Sequence, residues 1–144
     1  MSPLFQEALA LTYRPDLNVL FLRWPQPVYA LPAKDVYQQV LALAQETSAR
    51  FWLFDVRSRG PLSPEDAQWV CETFYPQLHA EGGLAIHISY LFSPSHAEDD
   101  ATLQLIQKLR TEPWFGQEVE LEHFTSETEA LLWLKRCQLA EIVK

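Results

Sequence analysis

The chain has 144 residues, 48% hydrophobic and 21% charged, with a formal net charge of −8. That composition excludes a disordered chain, and the length fits one domain that buries roughly two-thirds of its unfolded surface without metal or disulfide staples. The negative charge argues against a nucleic-acid or anionic-membrane partner, because both need a basic surface to displace counterions.

In chain order, "EALALTYRP" alternates apolar and polar residues, with Leu9, Leu11 and Tyr13 on one face. "RPDLN" supplies turn chemistry through Pro15, Asp16 and Asn18, and "VLFLRW" reads as a second strand, so residues 7–24 form a hairpin. Prolines at 25, 27 and 32 keep the next segment out of any central strand. After Pro32 the period becomes helical: Val36, Val40, Leu43 and Thr47 form a stripe with Tyr37, Leu41 and Ala44 beside it, and a helix is expected over 33–48. "RFWLFDV" is apolar on both faces, as a central strand covered twice should be.

The next helix opens at Ser63, with Pro64 at its first position and Glu65 and Asp66 at the positive end of its dipole. Its buried stripe is Ala67, Val70, Cys71, Phe74 and Leu78, and Pro76 should kink or end it near Tyr75. "EGG" at 81–83 is a stop. "LAIHISYLF" is a fourth strand, and Ser95–Glu98 fits a capping box before a helix on Ala101, Leu105, Ile106 and Leu109. "EVELEHF" reads as an edge strand, with Glu118, Glu120 and Glu122 along one side. "SETE" at 126–129 caps a final helix. The order ββαβαβαβα implies one α/β domain, residues 1–144, built on a single mixed five-stranded sheet.

"YRPDLNVLFLRW", "FWLFDVRSRGPLSPEDAQWV", "HISYLFSP" and "FTSETEALLWLK" together resemble the STAS domain, the SpoIIAA-like class of anti-sigma-factor antagonists. The resemblance is closer to the bacterial stand-alone STAS/SEC14-type domains. It implies a regulatory protein-interaction module, with a serine at the head of the helix after the third strand that a kinase phosphorylates to break binding. Ser63 takes that position, and Pro64, Glu65 and Asp66 replace the rest of the motif. A phosphate at Ser63 would gain from the helix dipole and be repelled by the two acids; the plain alternative is a helix cap. The SEC14 side of the resemblance implies a pocket for an apolar or lipid-like ligand.

Candidate binding residues cluster where the third strand ends, the usual ligand position in open α/β sheets. Asp55 closes the strand, and Arg57 and Arg59 flank Ser58. With Ser63 they could line an anion pocket, or Asp55 could pair with either arginine and stiffen the loop. His87 lies mid-strand beside Ser89 and reads as a structural residue. Ser58 or Ser63, His87 and Asp55 could make a hydrolase triad only on paper, because no nucleophile elbow or oxyanion loop accompanies them. His79, His96 and His123 are scattered without metal-ligand spacing, and four glycines form no phosphate-cradling loop. Neither a metal nor a cofactor is therefore expected, and the chain reads as non-catalytic.

Cys71 and Cys137 fall in apolar helical patterns and read as free thiols. With no signal-peptide pattern and no membrane-length apolar run, a cytoplasmic protein is expected. Trp24, Tyr29, Trp69, Tyr75, Trp114 and Phe115 lie off the predicted stripes or in loops. They point to a homodimer or protein-partner surface, or else to a larger shared core.

Overall fold

The computed structural model describes residues 10–24, 32–78 and 83–142. Among these, five strands make one sheet in the order β1-β2-β3-β4-β5: Ala10–Arg14, Val19–Arg23, Phe51–Asp55, Ile86–Leu91 and Val119–Phe124. β1 runs antiparallel to β2, and the remaining pairs are parallel. The fold is thus α/β with a mixed sheet, as the strand–helix alternation predicts. The hairpin turns as its residues dictate: Asn18 takes a positive φ of 55°, and its side chain accepts a hydrogen bond from the Tyr13 hydroxyl at 2.8 Å.

Because the alternation of side chains along a strand is strict, the two faces can be read from residue parity. Leu20, Leu22, Trp52, Phe54, Ile86, Ile88 and Leu121 point to one face. They pack against helix α1 (Ala33–Thr47), helix α2 (Pro64–Trp69) with its continuation, and helix α4 (Asp100–Arg110). Val19, Phe21, Phe51 and Leu53 point to the other face, beneath Ala130 and Leu134 of the C-terminal helix α5 (Glu127–Ile142). β3 is buried at all five positions, which explains its unbroken apolar sequence. Ser89 is buried on the α5 face and donates to the Ala130 carbonyl at 2.9 Å, so its hydroxyl also fixes the helix to the sheet.

Helix starts follow a repeated device. Ser63 and Ser93 each precede a proline, and each serine Oγ accepts the backbone N–H three residues on, from Asp66 and His96. Ser93 therefore opens a four-residue helix, α3 (Pro94–Ala97), and Asp99 caps α4 by accepting from the Thr102 N–H. The expected capping box at Ser95–Glu98 is not the one used, because Pro94 has no N–H and suits the first helical position.

Two further expectations shift. The buried stripe of α1 is Ala33, Val36, Tyr37, Val40 and Ala44, while Leu43 and Thr47 are only half-buried. Beyond Trp69 the helix widens into a π-helical turn, Val70–Phe74, then tightens into a 3₁₀ turn, Tyr75–Gln77. Pro76 lacks the N–H that an α-helix would need there, and the Tyr75 N–H bonds to the Val70 carbonyl five residues back. That extra residue per turn rotates Tyr75 from outside the stripe into the core, where it is 1% exposed.

The surplus aromatics also go inward. Trp24 is buried, and Trp69, Trp114 and Phe115 pack half-buried against the same core. Leu9, Tyr29, His79 and most of the "EGG" stop lie outside the described residues. Cys71 and Cys137 are free thiols. No helix among the described residues is long and apolar enough to cross a membrane.

Candidate functional site

β3 ends in Asp55, and the loop after it divides. Asp55 has the parity of Phe51 and Leu53, so its carboxylate lies on the α5 side. There it accepts from Arg57 Nε at 2.9 Å and Nη2 at 2.8 Å, from the Arg57 N–H at 3.2 Å, and from Arg23 Nη1 at 3.1 Å. Arg23 reaches on to both oxygens of Glu127, at 2.6 and 3.1 Å, tying β2, β3 and the first turn of α5 together. The loop-stiffening arrangement is therefore formed by Asp55 and Arg57.

Burial pushes the Asp55 carboxyl up, but the hydrogen bonds from Arg57 and Arg23 outweigh it and hold the group below its usual 3.8. Arg23 holds Glu127 below its usual 4.5 in the same way. Both folded-state values lie under the unfolded ones, so the stability they contribute is complete above those unfolded values and drains as pH falls from there through the lower folded ones. Arg23 and Arg57 are 38% and 44% exposed, and solvent screening limits the contribution to about 1 kcal/mol. Urea unfolding at pH 7, 5, 4 and 3 should show wild-type stability falling below about pH 5 and Asp55→Asn falling less steeply. Parallel curves for the two proteins would contradict the assignment.

Arg59 turns the opposite way. Its guanidinium stands 4.6 Å from the centre of the Trp24 ring, and it donates to the carbonyls of Gly60 at 3.4 Å and Pro61 at 3.0 Å. The turn carrying it needs Gly60, whose φ is +82°. Among the described residues the nearest acid, Asp66, is 3.9 Å away. Ser58 and Ser63 are exposed, with Ser63 occupied as the α2 cap. An open cleft of about 280 Å³ gathers Arg57, Ser58 and Arg59, but its other wall is Ser93, Ser95, His96 and Asp99. The head of α3, rather than Ser63, thus completes this cluster.

Under the same threshold lies an apolar cavity of about 60 Å³, which shares Arg59, Gly60 and His96 with the cleft. The strands and the residues just past them supply Trp24, Val56, Tyr90, Phe92, Leu121 and His123 to its wall. Tyr37 comes from α1, Val70 from the π-helical turn, Tyr75 from the 3₁₀ turn after it, and Leu105, Ile106 and Leu109 from α4. It sits at the carboxyl ends of the parallel strands, on the three-helix face.

Its polar groups are few. Tyr37 and Tyr75 both meet the hydroxyl of Tyr90, the first at 3.2 Å and the second more closely. Burial pushes the Tyr37 hydroxyl up to about 12 and raises Tyr75 and Tyr90 well above the ordinary value, so all three are neutral donors. Three hydroxyl protons share two contacts, so one points out of the cluster. Phe92 lies between two imidazoles, with ring centres 4.1 Å from His96 and 5.7 Å from His123. His96 is 7% exposed, its Nδ1 has no hydrogen-bond partner, and burial lowers its pKa so that the ring is neutral near pH 7.

His87 is elsewhere. It pairs in register with Phe51, four residues back along the sheet from Asp55, stacks on the Phe51 ring and faces Glu120 at 3.6 Å. Asp55, His87 and the two loop serines are not brought together. A wider groove of about 530 Å³ opens beside His87, Trp133 and Cys137, but its polar groups lean on one another: His87 lies between Glu120 and Glu141. No three His, Cys, Asp or Glu side chains among the described residues form a group that could hold a metal.

The family models, the curated proteins and the solved structures contain no match to this chain. The resemblance implied an apolar pocket, but its lining escaped sequence reading because the residues come from many separate elements; the signals present were Tyr37, Tyr75 and Tyr90, each a hydroxyl on an apolar stretch.

Proposed function

We propose that this chain is a non-catalytic, STAS-like regulatory module that senses a small apolar ligand held in the cavity between the sheet and its three helices. One observation carries the reading: a gap in the core at the strand carboxyl ends, apolar but edged with a tyrosine hydroxyl cluster and a buried imidazole. A core that exists only for stability closes such gaps, because unfilled volume forfeits packing. The roughly four water-sized groups that 60 Å³ admits point to a compact ligand or the tip of a larger one, not a whole lipid.

The test is NMR titration of the full chain with isobutanol and with 1-propanol, following the Trp24 indole and the cavity tyrosine rings. The expected result is saturable shifts at Trp24, Tyr37 and Tyr90, with intermolecular contacts to the same rings, and no shift at Trp52, which lies in the closed part of the core. Leu105→Trp should fill the cavity and abolish the shifts. No saturable response from either probe would overturn the cavity reading. It would favour the second reading, a protein partner docking over the exposed rim of Arg57, Ser58, Pro61 and Ser63, with phosphorylation of Ser63 as its control.

A further inference from the structure

We infer that the ligand is a short-chain monocarboxylate, its apolar end in the tyrosine-walled cavity and its carboxylate at the threshold between cavity and cleft. This inference rests on the cavity reading and adds the ligand's charge and size.

The charge follows from what stands at the threshold. Among the described residues, Arg59 is the one group charged at neutral pH that lines both spaces, and its side chain is only 16% exposed. The other charged groups of the cleft are committed. Arg57 is bound to Asp55, and Asp99 accepts from the Thr102 N–H and hydroxyl, each at 2.9 Å. Arg59 instead relies on two backbone carbonyls and an acid 3.9 Å away, a distance too long for a hydrogen bond. A half-buried guanidinium so weakly neutralised favours an anion, and its planar fork suits a carboxylate. Beside it, His96 offers a buried imidazole whose Nδ1 has no partner, and Ser93 and Ser95 bring hydroxyls to the outer wall.

The size follows from the volume. An apolar cavity of about 150 Å³ accommodates benzene, whereas the one here is about 60 Å³. A chain of a few carbons fits; an aromatic acid must leave most of its ring outside. The wall beyond the threshold is aliphatic and aromatic, so the ligand needs a single charged end.

The experiment uses butyrate, butyramide and octanoate, each titrated by calorimetry and by NMR into the full chain. Butyrate should bind about tenfold or more tightly than butyramide, since the amide keeps the shape and loses the charge-assisted bonds. Arg59→Met, which retains much of the side-chain stem, should remove that preference while isobutanol still binds. Octanoate should bind more weakly than butyrate. Equal affinity for butyrate and butyramide would overturn the carboxylate assignment while leaving the isobutanol result, and with it the cavity reading, intact. Octanoate binding as tightly as butyrate would overturn the size assignment. Failure of every probe, isobutanol included, would overturn both readings. The wild-type comparison decides the matter even if Arg59→Met fails to fold.

Discussion

Trp52→Ala should lower the unfolding free energy by about 3–5 kcal/mol, the largest loss expected from any single truncation in this chain. Trp52 is fully buried at the centre of β3, pairing with Leu20 on one side and Ile88 on the other. Its ring stacks near Phe54 with centres 5.8 Å apart, and its Nε1 donates to the Ala49 carbonyl at 3.0 Å. Truncation opens a cavity that three secondary-structure layers prevent from collapsing, and it strands the carbonyl. Domains of this size are stable by only about 5–15 kcal/mol, so the variant should sit near the edge of folding at 37 °C. Guanidinium unfolding followed by far-ultraviolet circular dichroism measures the difference. A loss under about 1 kcal/mol would show that the centre of the sheet is not packed as described.

The second large effect is a contrast within the tyrosine cluster. Tyr90 is the middle member, so Tyr90→Phe removes the partner of both Tyr37 and Tyr75 and leaves two buried hydroxyls unpaired. Tyr75→Phe removes an end member and leaves the Tyr37–Tyr90 contact in place. Stranding a buried hydroxyl costs about 1–3 kcal/mol, so Tyr90→Phe should cost about 2–4 kcal/mol and Tyr75→Phe about 1 kcal/mol. Adding Tyr37→Phe and Tyr75→Phe to Tyr90→Phe should recover much of the loss, because an all-phenylalanine cluster has nothing left to satisfy. Equal costs for the two single variants would mean that the hydroxyls find other partners in the cavity.

The parts of the fold written in the sequence are those where one period settles the matter. Residues 51–56 assign their own faces by parity, and Phe51 and Leu53 do lie opposite Trp52 and Phe54. Ser63 announces itself as a cap because Pro64 and two acids follow it. The same reasoning misplaces the next cap, since Ser95–Glu98 and Ser93–Pro94 compete and only the fixed φ of proline decides between them. Tyr75 was unreadable as a core residue, because its burial depends on a π-helical turn that breaks the 3.6-residue period.

At the site, Asp55 follows strand parity, so its side is predictable. The arginines lie past the strand end, where a positive φ at Gly60 redirects the chain and no periodicity operates. Arg57 and Arg59 are two residues apart and read as a matched pair. In the fold one closes an ion cluster on the α5 side, and the other edges the cavity on the opposite side.

The strictly sequential strand order has a consequence for biosynthesis. Each strand can zip onto the one made just before it, and three of the four helices of six residues or more are laid down between strands they cover. α5 is different: it follows every strand it shields, and among the described residues nothing else covers Val19, Phe21, Phe51 and Leu53. A nascent chain therefore carries one naked greasy surface until α5 has left the ribosome, and that interval is when it is most open to sticking to its neighbours.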